Sequence, residues 1–328
     1  MSTKSQVLTL LMKQTPAFIS GEDMAQQLSL SRTAIWKAIN ELKKEGHIIS
    51  SSRNKGYRYE TSDVLSEEGI RLALDPATPK LSIHVLNSSE STMKDAKLAA
   101  INGNPTNTLI VADIQEAPKG RFGRPFFSKA GSGIYMSMLL RPNQIFEEMA
   151  QYTLIMAVAI TRAIDELAHV NTEIKWVNDI YINGKKVCGI LSEAMSDVES
   201  GQISNVIIGM GINFSLKQNE FPEELREKAT SLFPNTPPNI TRNDLIGAIW
   251  NQFYKILNQL PEQDFLEEYR QKSFVLGRTV SFTQAGTNYE GIATAINDHG
   301  ELVVQLPNKT EKVLSSGEIS LSNINPTI

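Results

Sequence analysis

The chain has 328 residues, 41% hydrophobic and 21% charged, with a net charge of −4, which is enough apolar mass for two or three cores and too much for a disordered chain. A single cysteine, Cys188, excludes an intramolecular disulfide, and one Cys with four His excludes a Cys-rich zinc site, so no metal-ligating side chains are expected. No run approaches the length of a membrane span, and the N-terminus lacks the apolar stretch of a secretion signal; the expectation is a cytoplasmic protein with no membrane partner.

The charge is uneven. Residues 1–60 carry nine Lys/Arg against five Asp/Glu, a net +4, and the remainder 23 against 31, a net −8. A small basic segment joined to a large acidic one fits a nucleic-acid module attached to something else. Residues 4–13 read as a helix with Val7, Leu8, Leu10 and Leu11 inward. Ser20, three residues before Asp23, marks the start of a second helix that runs to about Leu28. Ser31 caps a third, running through Glu45, on which Ile35, Ile39 and Leu42 form one apolar stripe. Arg32, Thr33, Trp36 and Lys37 fall on its other faces.

Two short helices, a tight turn and a polar outer face make a helix-turn-helix whose second helix fits the major groove. Residues 46–59 read as a β-hairpin wing with basic residues at its tip, so residues 1–62 are expected as a winged helix-turn-helix. Arg32, Thr33, Trp36 and Lys37 are the candidates for groove contacts, and Arg53, Lys55 and Arg58 for phosphates. The same fold also serves for protein contacts alone, and local sequence leaves that open. Two prolines and a shift toward acidic charge mark residues 63–80 as a linker containing a short helix.

The second domain, residues 81–272, opens with a strand over 81–86 and a helix over 93–100. Ser91 and Thr92 then sit at a helix N-terminus, either as an ordinary cap or as donors to a carbonyl or anion. The apolar run 108–111 leads into A-D-I-Q-E-A-P-K-G-R-F-G-R, residues 112–124, where Lys119, Arg121 and Arg124 alternate with Gly120 and Gly123. Glycine admits unusual backbone angles, and arginine forks hold carboxylate or phosphate oxygens. This stretch is either a mobile anion-binding loop or a solvated basic surface loop.

A strand over 133–140, a long helix over 146–168 and a hairpin over 173–187 follow, with Asn183-Gly184 as the turn. Lys186 starts the returning strand on the side opposite to Val187. A strand over 206–209 ends in the glycines of residues 209–213, and helices are expected over 223–228, 242–260 and 265–272. Residues 273–328 turn to β character, with strands over 279–282, 291–296, 301–305 and 318–321, which suggests a small SH3-like barrel. The fold class is α+β: the winged helix, a central mixed-sheet α/β domain and the C-terminal barrel.

Five stretches resemble, in order, the motifs of a known family. Ser91-Thr92 resembles its S-T-N, and residues 115–124 its Q-x-x-G-R-G-R-x-G-R. Residues 175–179 (K-W-V-N-D) resemble K-W-P-N-D, residues 186–193 (K-V-C-G-I-L-S-E) resemble K-x-x-G-I-L-x-E, and residues 209–213 resemble G-x-G-I-N. The whole chain is similar to the bifunctional biotin–protein ligases that are also the biotin operon repressor. It departs from their pattern at Pro118, Lys119 and Val177, where the family has Gly, Arg and Pro.

The resemblance implies an ATP- and Mg²⁺-dependent ligase that forms biotinoyl-adenylate and then transfers biotin to a lysine of biotin carboxyl carrier domains. It implies Lys186 and Arg121 as the catalytic cations. It places biotin against Ser91, Thr92, Met93, Gln115, Lys119, Gly120, Arg121 and Lys186, and the nucleotide against Arg124, Asn178 and Asn213. It further implies operator DNA as a partner and a homodimer when the adenylate is bound. Two rivals stay open at this point: a biotin-sensing repressor without ligase activity, and a lipoate-type ligase on the same catalytic fold.

Overall fold

A computed structural model describes residues 2–141, 149–196, 203–260 and 264–321. By contacts the chain divides into two compact units, Met1–Pro76 with Asn239–Ala248, and Ala77–Pro238 with Ile249–Ile328. Residues 63–76, expected as linker, and 239–248, expected in the central domain, thus group with the N-terminal unit; residues 273–328 group with the second.

The first unit begins with three helices, α1 (Thr3–Gln14), α2 (Gly21–Leu28) and α3 (Arg32–Lys44), each preceded by a serine whose hydroxyl accepts a first-turn amide. Such caps each contribute about 1 kcal/mol by satisfying a donor that the helix cannot. Val7, Leu8 and Leu11 of α1, Met24 of α2, and Ile35, Ile39 and Leu42 of α3 close one core, with Ile49 and Tyr59 from the wing. The wing is the antiparallel pair β1 (Ile49–Ser52) and β2 (Gly56–Tyr59). It is tied back by reciprocal bonds between Ile19 and Tyr57, at 2.9 and 2.8 Å. Gly56 (φ +94°) cannot carry a side chain, because a Cβ there would lie 2.1 Å from the Ile19 carbonyl oxygen.

The expected short helix is α4 (Glu67–Leu72), capped by Ser66. The grouping of this segment with residues 239–248 has a local cause. Buried Arg242 donates to Asp63 from its backbone amide at 2.7 Å and from Nε at 2.8 Å, and Asn243 donates to the Val64 carbonyl at 2.8 Å.

The second unit is built on a seven-stranded mixed sheet. In chain order its elements are β3 (Ser82–Leu86), α5 (Thr92–Ile101), β4 (Thr108–Ala112), β5 (Gly133–Leu140), α6 (Met149–Ala168), β6 (Glu173–Lys175), β7 (Asp179–Ile182), β8 (Lys185–Ser196) and β9 (Ile203–Asn213). The strands lie in the order β3-β4-β5-β9-β8-β7-β6, with only β3 and β4 parallel. β5 is buried along all eight residues, as a central strand covered on both faces must be. The Asn183-Gly184 turn joins β7 to β8 with both residues at positive φ, 49° and 75°, as a two-residue hairpin requires. The first turn expected for α6, residues 146–148, lies outside the described residues.

Helix α7 (Arg242–Leu257) is divided between the units, and it ends three residues before the expected 260. α8 (Asp264–Lys272) leads to β10 (Thr279–Gln284), β11 (Thr287–Ile296), β12 (Leu302–Gln305), β13 (Glu311–Leu314) and β14 (Ile319–Leu321). These form a five-stranded antiparallel sheet in the order β13-β12-β11-β10-β14. β13 escapes the sequence because its four residues, E-K-V-L, carry two charges and a single buried side chain, Leu314. The helix expected over 223–228 is only a 3₁₀ turn, Glu223–Leu225, because the next residues pair with Lys186: its amide donates to Lys228 and its carbonyl accepts from Thr230. Among the described residues no helix is long and apolar enough to cross a membrane.

Candidate active site

The stretches singled out by sequence converge on one cavity of about 230 Å³ in the second unit. Ser91, Thr92 and Met93 enter from the start of α5, Gln115, Lys119, Gly120, Arg121 and Arg124 from the loop after β4, Asn178 from the turn before β7, and Lys186 from β8. The loop is therefore not a basic strip facing only solvent.

One wall is a polar network. Gln115, buried, accepts from the Thr92 amide at 2.7 Å and the Thr92 hydroxyl at 3.1 Å through Oε1, and Thr92 Oγ1 lies 2.8 Å from Ser137 Oγ. The Gln115 backbone amide is held by Ser128 Oγ at 2.8 Å. With Oε1 occupied, the Gln115 Nε2 hydrogens remain for a ligand carbonyl. Ser91 is the N-cap residue of α5, yet its side chain makes no capping bond. Its hydroxyl is thus left to the cavity while Gln115 takes the Thr92 amide, which favours the ligand-binding reading of this serine over the capping one. Met93 lies over Gly209, where a Cβ would come within 2.4 Å of the Met93 sulfur.

The opposite wall carries the charge. Lys186 Nζ lies 2.7 Å from Asp179 Oδ1, an ion pair whose angles are not those of a hydrogen bond. Gly189 makes room for it: a Cβ there would sit 3.1 Å from Nζ. Arg121 donates from Nη1 to Asn178 Oδ1 at 3.1 Å, and Asn178 in turn donates to the Ile190 carbonyl at 2.7 Å. Arg124 pairs with Glu318, which reaches the cavity from the segment before β14. Lys119 and Gly120 line the mouth, and the Gly120 amide donates to the Arg124 carbonyl at 2.8 Å, closing the glycine-rich turn on itself.

Several wall residues had no sequence-derived role: Lys175, Asp179, Phe122, Phe126 and Glu318. Lys175 is pushed below the ordinary lysine range, chiefly by burial, with Lys186 and Arg124 adding repulsion and Asp179 and Glu318 opposing it. The Phe126 ring lies against the backbone of Gly211, where a Cβ would meet it at 2.6 Å. The Trp176–Val177 peptide is cis.

Asn213 is the expected nucleotide contact that is not on this wall. It is buried at the end of β9, and its amide donates to the Thr230 carbonyl at 3.0 Å, on the segment that brackets the Lys186 backbone. Gly209, Gly211 and Asn213 lie on one face of β9, but Asn213 is the last residue of the strand and its side chain is taken up by the Thr230 carbonyl beyond the cavity.

In the first unit, Arg32, Thr33, Trp36 and Lys37 are exposed on α3, and Arg53 and Lys55 are exposed at the wing tip. Arg32, Trp36 and Arg53 border one recess between α3 and the wing. Arg58 differs: it donates twice to Glu60, at 2.8 and 2.7 Å, and its guanidinium lies 4.7 Å from the Phe18 ring centre.

The chain is 39% identical over 306 residues to the bifunctional ligase/repressor BirA of Bacillus subtilis, an alignment covering 91% of this chain and 93% of the relative. It belongs to the bifunctional biotin ligase/repressor family. The family descriptions agree in order: an HTH domain matches residues 3–58, the biotin/lipoate A/B protein ligase family residues 85–213, and the biotin protein ligase C-terminal domain residues 275–322. The Escherichia coli bifunctional ligase/repressor is 28% identical across 93% of both chains. Among solved structures, the Aquifex aeolicus biotin protein ligase in complex with biotin and ATP superposes with a TM-score of 0.62 at 28% identity, covering 73% of this chain and 98% of that one.

Proposed function

We propose that the protein is a biotin–protein ligase and a biotin-responsive operator-binding repressor, acting in the cytoplasm where ATP and DNA are at hand. The functional modules are residues 1–62 for DNA, 81–272 for catalysis and 273–328 as the C-terminal partner of the catalytic module. The observation that carries the ligase reading is the convergence of Gln115, Ser91, Arg121 and Lys186 on one cavity.

The reaction has two steps. The biotin carboxylate attacks the α-phosphorus of ATP, the bond to the leaving pyrophosphate breaks, and biotinoyl-adenylate forms. A lysine amine of a biotin carboxyl carrier domain then attacks the acyl carbon, forming the amide and releasing AMP. Two anions must meet in the first step, and repulsion between them is offset by Lys186 and Arg121, whose pre-placed charge also stabilises the phosphorus oxygens in the transition state. Ser91 and Gln115 present donors to the ureido group, while Thr92 holds Gln115 in position. Met93, Lys119 and Gly120 shape the biotin end. Arg124 and Asn178 serve the nucleotide; Asn213 serves it indirectly, through Thr230. Closure of the basic loop keeps water from the mixed anhydride.

Mg²⁺ enters with the triphosphate and supplies further charge neutralisation. Among the described residues no group of three or more His, Cys, Asp or Glu is placed to hold an ion. Phosphate oxygens, waters and at most Asp179 or Glu318 from the wall would hold it, which is how Mg²⁺ commonly binds.

The α3 face with Trp36, Arg32, Thr33 and Lys37 reads the groove, and Arg53 and Lys55 hold the phosphates with a smaller share from Arg58. Adenylate-bound protein pairs through the central sheet and occupies a two-half-site operator, which sedimentation with and without biotin and ATP tests. The deciding experiment is transfer of radiolabelled biotin, with MgATP, to an isolated carrier domain. Covalent label on the carrier is expected. Operator retention that depends on biotin but with no label transferred would leave a sensor, and stabilisation by lipoate rather than biotin would move the chain to lipoate chemistry.

A further inference from the structure

We infer that Lys175 is a binding residue for the polyphosphate of ATP, receiving a non-bridging oxygen on the β6 side of the cavity. The inference rests on the ligase reading and adds a residue to it.

Five cations line the cavity; Lys119 is exposed to solvent, and of the other four three already have partners: Lys186 has Asp179, Arg121 has Asn178 and Arg124 has Glu318. Lys175 has none, as its amine makes no hydrogen bond or ion pair among the described residues. Asp179 and Glu318 attract it from a distance, but neither forms an ion pair with it among the described residues. Lys175 and Asp179 are facing residues of the β6–β7 pair, but Asp179 turns its Oδ1 to Lys186. A half-buried ammonium without a partner costs stability, and chains retain such groups where a ligand supplies the missing charge. Burial and the repulsion from Lys186 and Arg124 act in that direction on its proton affinity.

Position decides which anion. The wall of Ser91, Thr92, Met93 and Gln115 reaches over Ser137 of β5 and Gly209 of β9, and Lys175 ends β6, three strand spacings beyond β9 in the sheet order. At ~4.8 Å per spacing that is roughly 14 Å along the sheet. A small carboxylic acid held at the Gln115 end does not reach Lys175. The phosphate chain of a nucleotide lying across β8 and β7 does, and its charge is the one that Lys175, Lys186 and Arg124 together accommodate. Lys175 also has Glu318 among its charged neighbours, so the C-terminal segment flanks the same subsite.

The test uses the full chain and Lys175→Met, which keeps the stem and removes the charge, with Lys175→Arg as the rescue. Pyrophosphate release with biotin and MgATP should show a KM for ATP raised about tenfold or more, as expected for loss of one charge-assisted hydrogen bond, with the KM for biotin within twofold. Calorimetry with inorganic triphosphate should show the same loss without any turnover, and Lys175→Arg should restore most of it. The ligand-free variant should melt at the same temperature as the parent or higher, because an unpaired buried charge has been removed. An unchanged KM for ATP and unchanged triphosphate binding would overturn the inference. So would a rise confined to biotin, or a fall in melting temperature of several degrees that Lys175→Arg does not repair. Absence of pyrophosphate release from the parent protein would instead sink the ligase reading, and the triphosphate measurement would still judge Lys175.

Discussion

The molecule carries two sets of positive side chains, and they are built in opposite ways. In the first unit Arg32, Lys37, Arg53 and Lys55 stand in water on a helix face and a hairpin tip; the one ion pair they make among the described residues, Arg32 to Glu22, is long at 3.8 Å. In the second unit Lys186, Arg121 and Arg124 are each matched to an acceptor, and a side chain at Gly189 would crowd the Lys186 amine, at 3.1 Å from a Cβ. Exposed cations suit a long polyanion, where many weak contacts add up and salt competes. Matched cations suit a small anion whose reacting atoms must be held to a fraction of an ångström. The same charge is thus suited to affinity in one place and to geometry in the other.

The largest test of that contrast is Lys186→Met. Adenylate formation should fall by about 10²–10³-fold, the scale of one lost transition-state donor in a water-poor site, with the fold intact by circular dichroism. Turnover within threefold of the parent in a pyrophosphate-release assay would remove Lys186 from the chemistry. Next is Arg121→Gly, which frees Asn178 and unfastens the loop from the β7 end. The expected outcome is release of adenylate, read as biotin labelling of bystander proteins. Label confined to the carrier would mean that the loop does not retain the intermediate.

How far the contrast was readable beforehand differs by region. In the first unit it was nearly complete, because caps, an apolar stripe and a hairpin are local features: Ser20 and Ser31 start the helices where expected, and Arg32, Trp36 and Lys37 lie outward as the periodicity requires. Arg58 was not, since its partner Glu60 and the Phe18 ring become neighbours only once the wing folds back on Ile19. The motifs pointed to residues that line one cavity, Asn213 excepted, and Asn183-Gly184 fixed the hairpin that delivers Lys186. What local pattern cannot carry is long-range pairing. Glu318 meets Arg124 from 194 residues away, and Asp63 meets Arg242 across 179. Lys175 was present in a recognised motif but without a role, because its meaning lies in the absence of a partner.

A smaller effect sharpens the DNA side. Arg53→Ala and Lys55→Ala should each weaken operator binding a few-fold, almost equally for operator and random duplex. Each should lower the magnitude of the slope of log K against log salt by about one. Trp36→Ala, on the helix face, should instead change the preference among sequences with little change in slope. If the wing variants alter sequence preference and leave the slope alone, the division between phosphate and groove contacts is wrong.

The smallest effect concerns pH, and it separates the two units. His47 is buried in the first unit, its Nδ1 3.1 Å from the Tyr59 hydroxyl, which lies 2.8 Å from Ser62 Oγ. Burial lowers its proton affinity, against the opposing pull of Glu45 and Glu68 and with a small push from Lys4. The folded chain therefore binds this proton less readily than the unfolded chain, whose imidazole titrates near 6.5. Above that value both states are neutral and the full stability is present. As the pH falls below it, the unfolded chain takes up the proton first, and stability declines until the folded value is passed. Hydrogen exchange on the full chain should show amides of α1, α3 and the wing losing protection between pH 7 and pH 5. His47→Gln should flatten that loss in the first unit, and an equal pH slope in the variant would show that another group governs it.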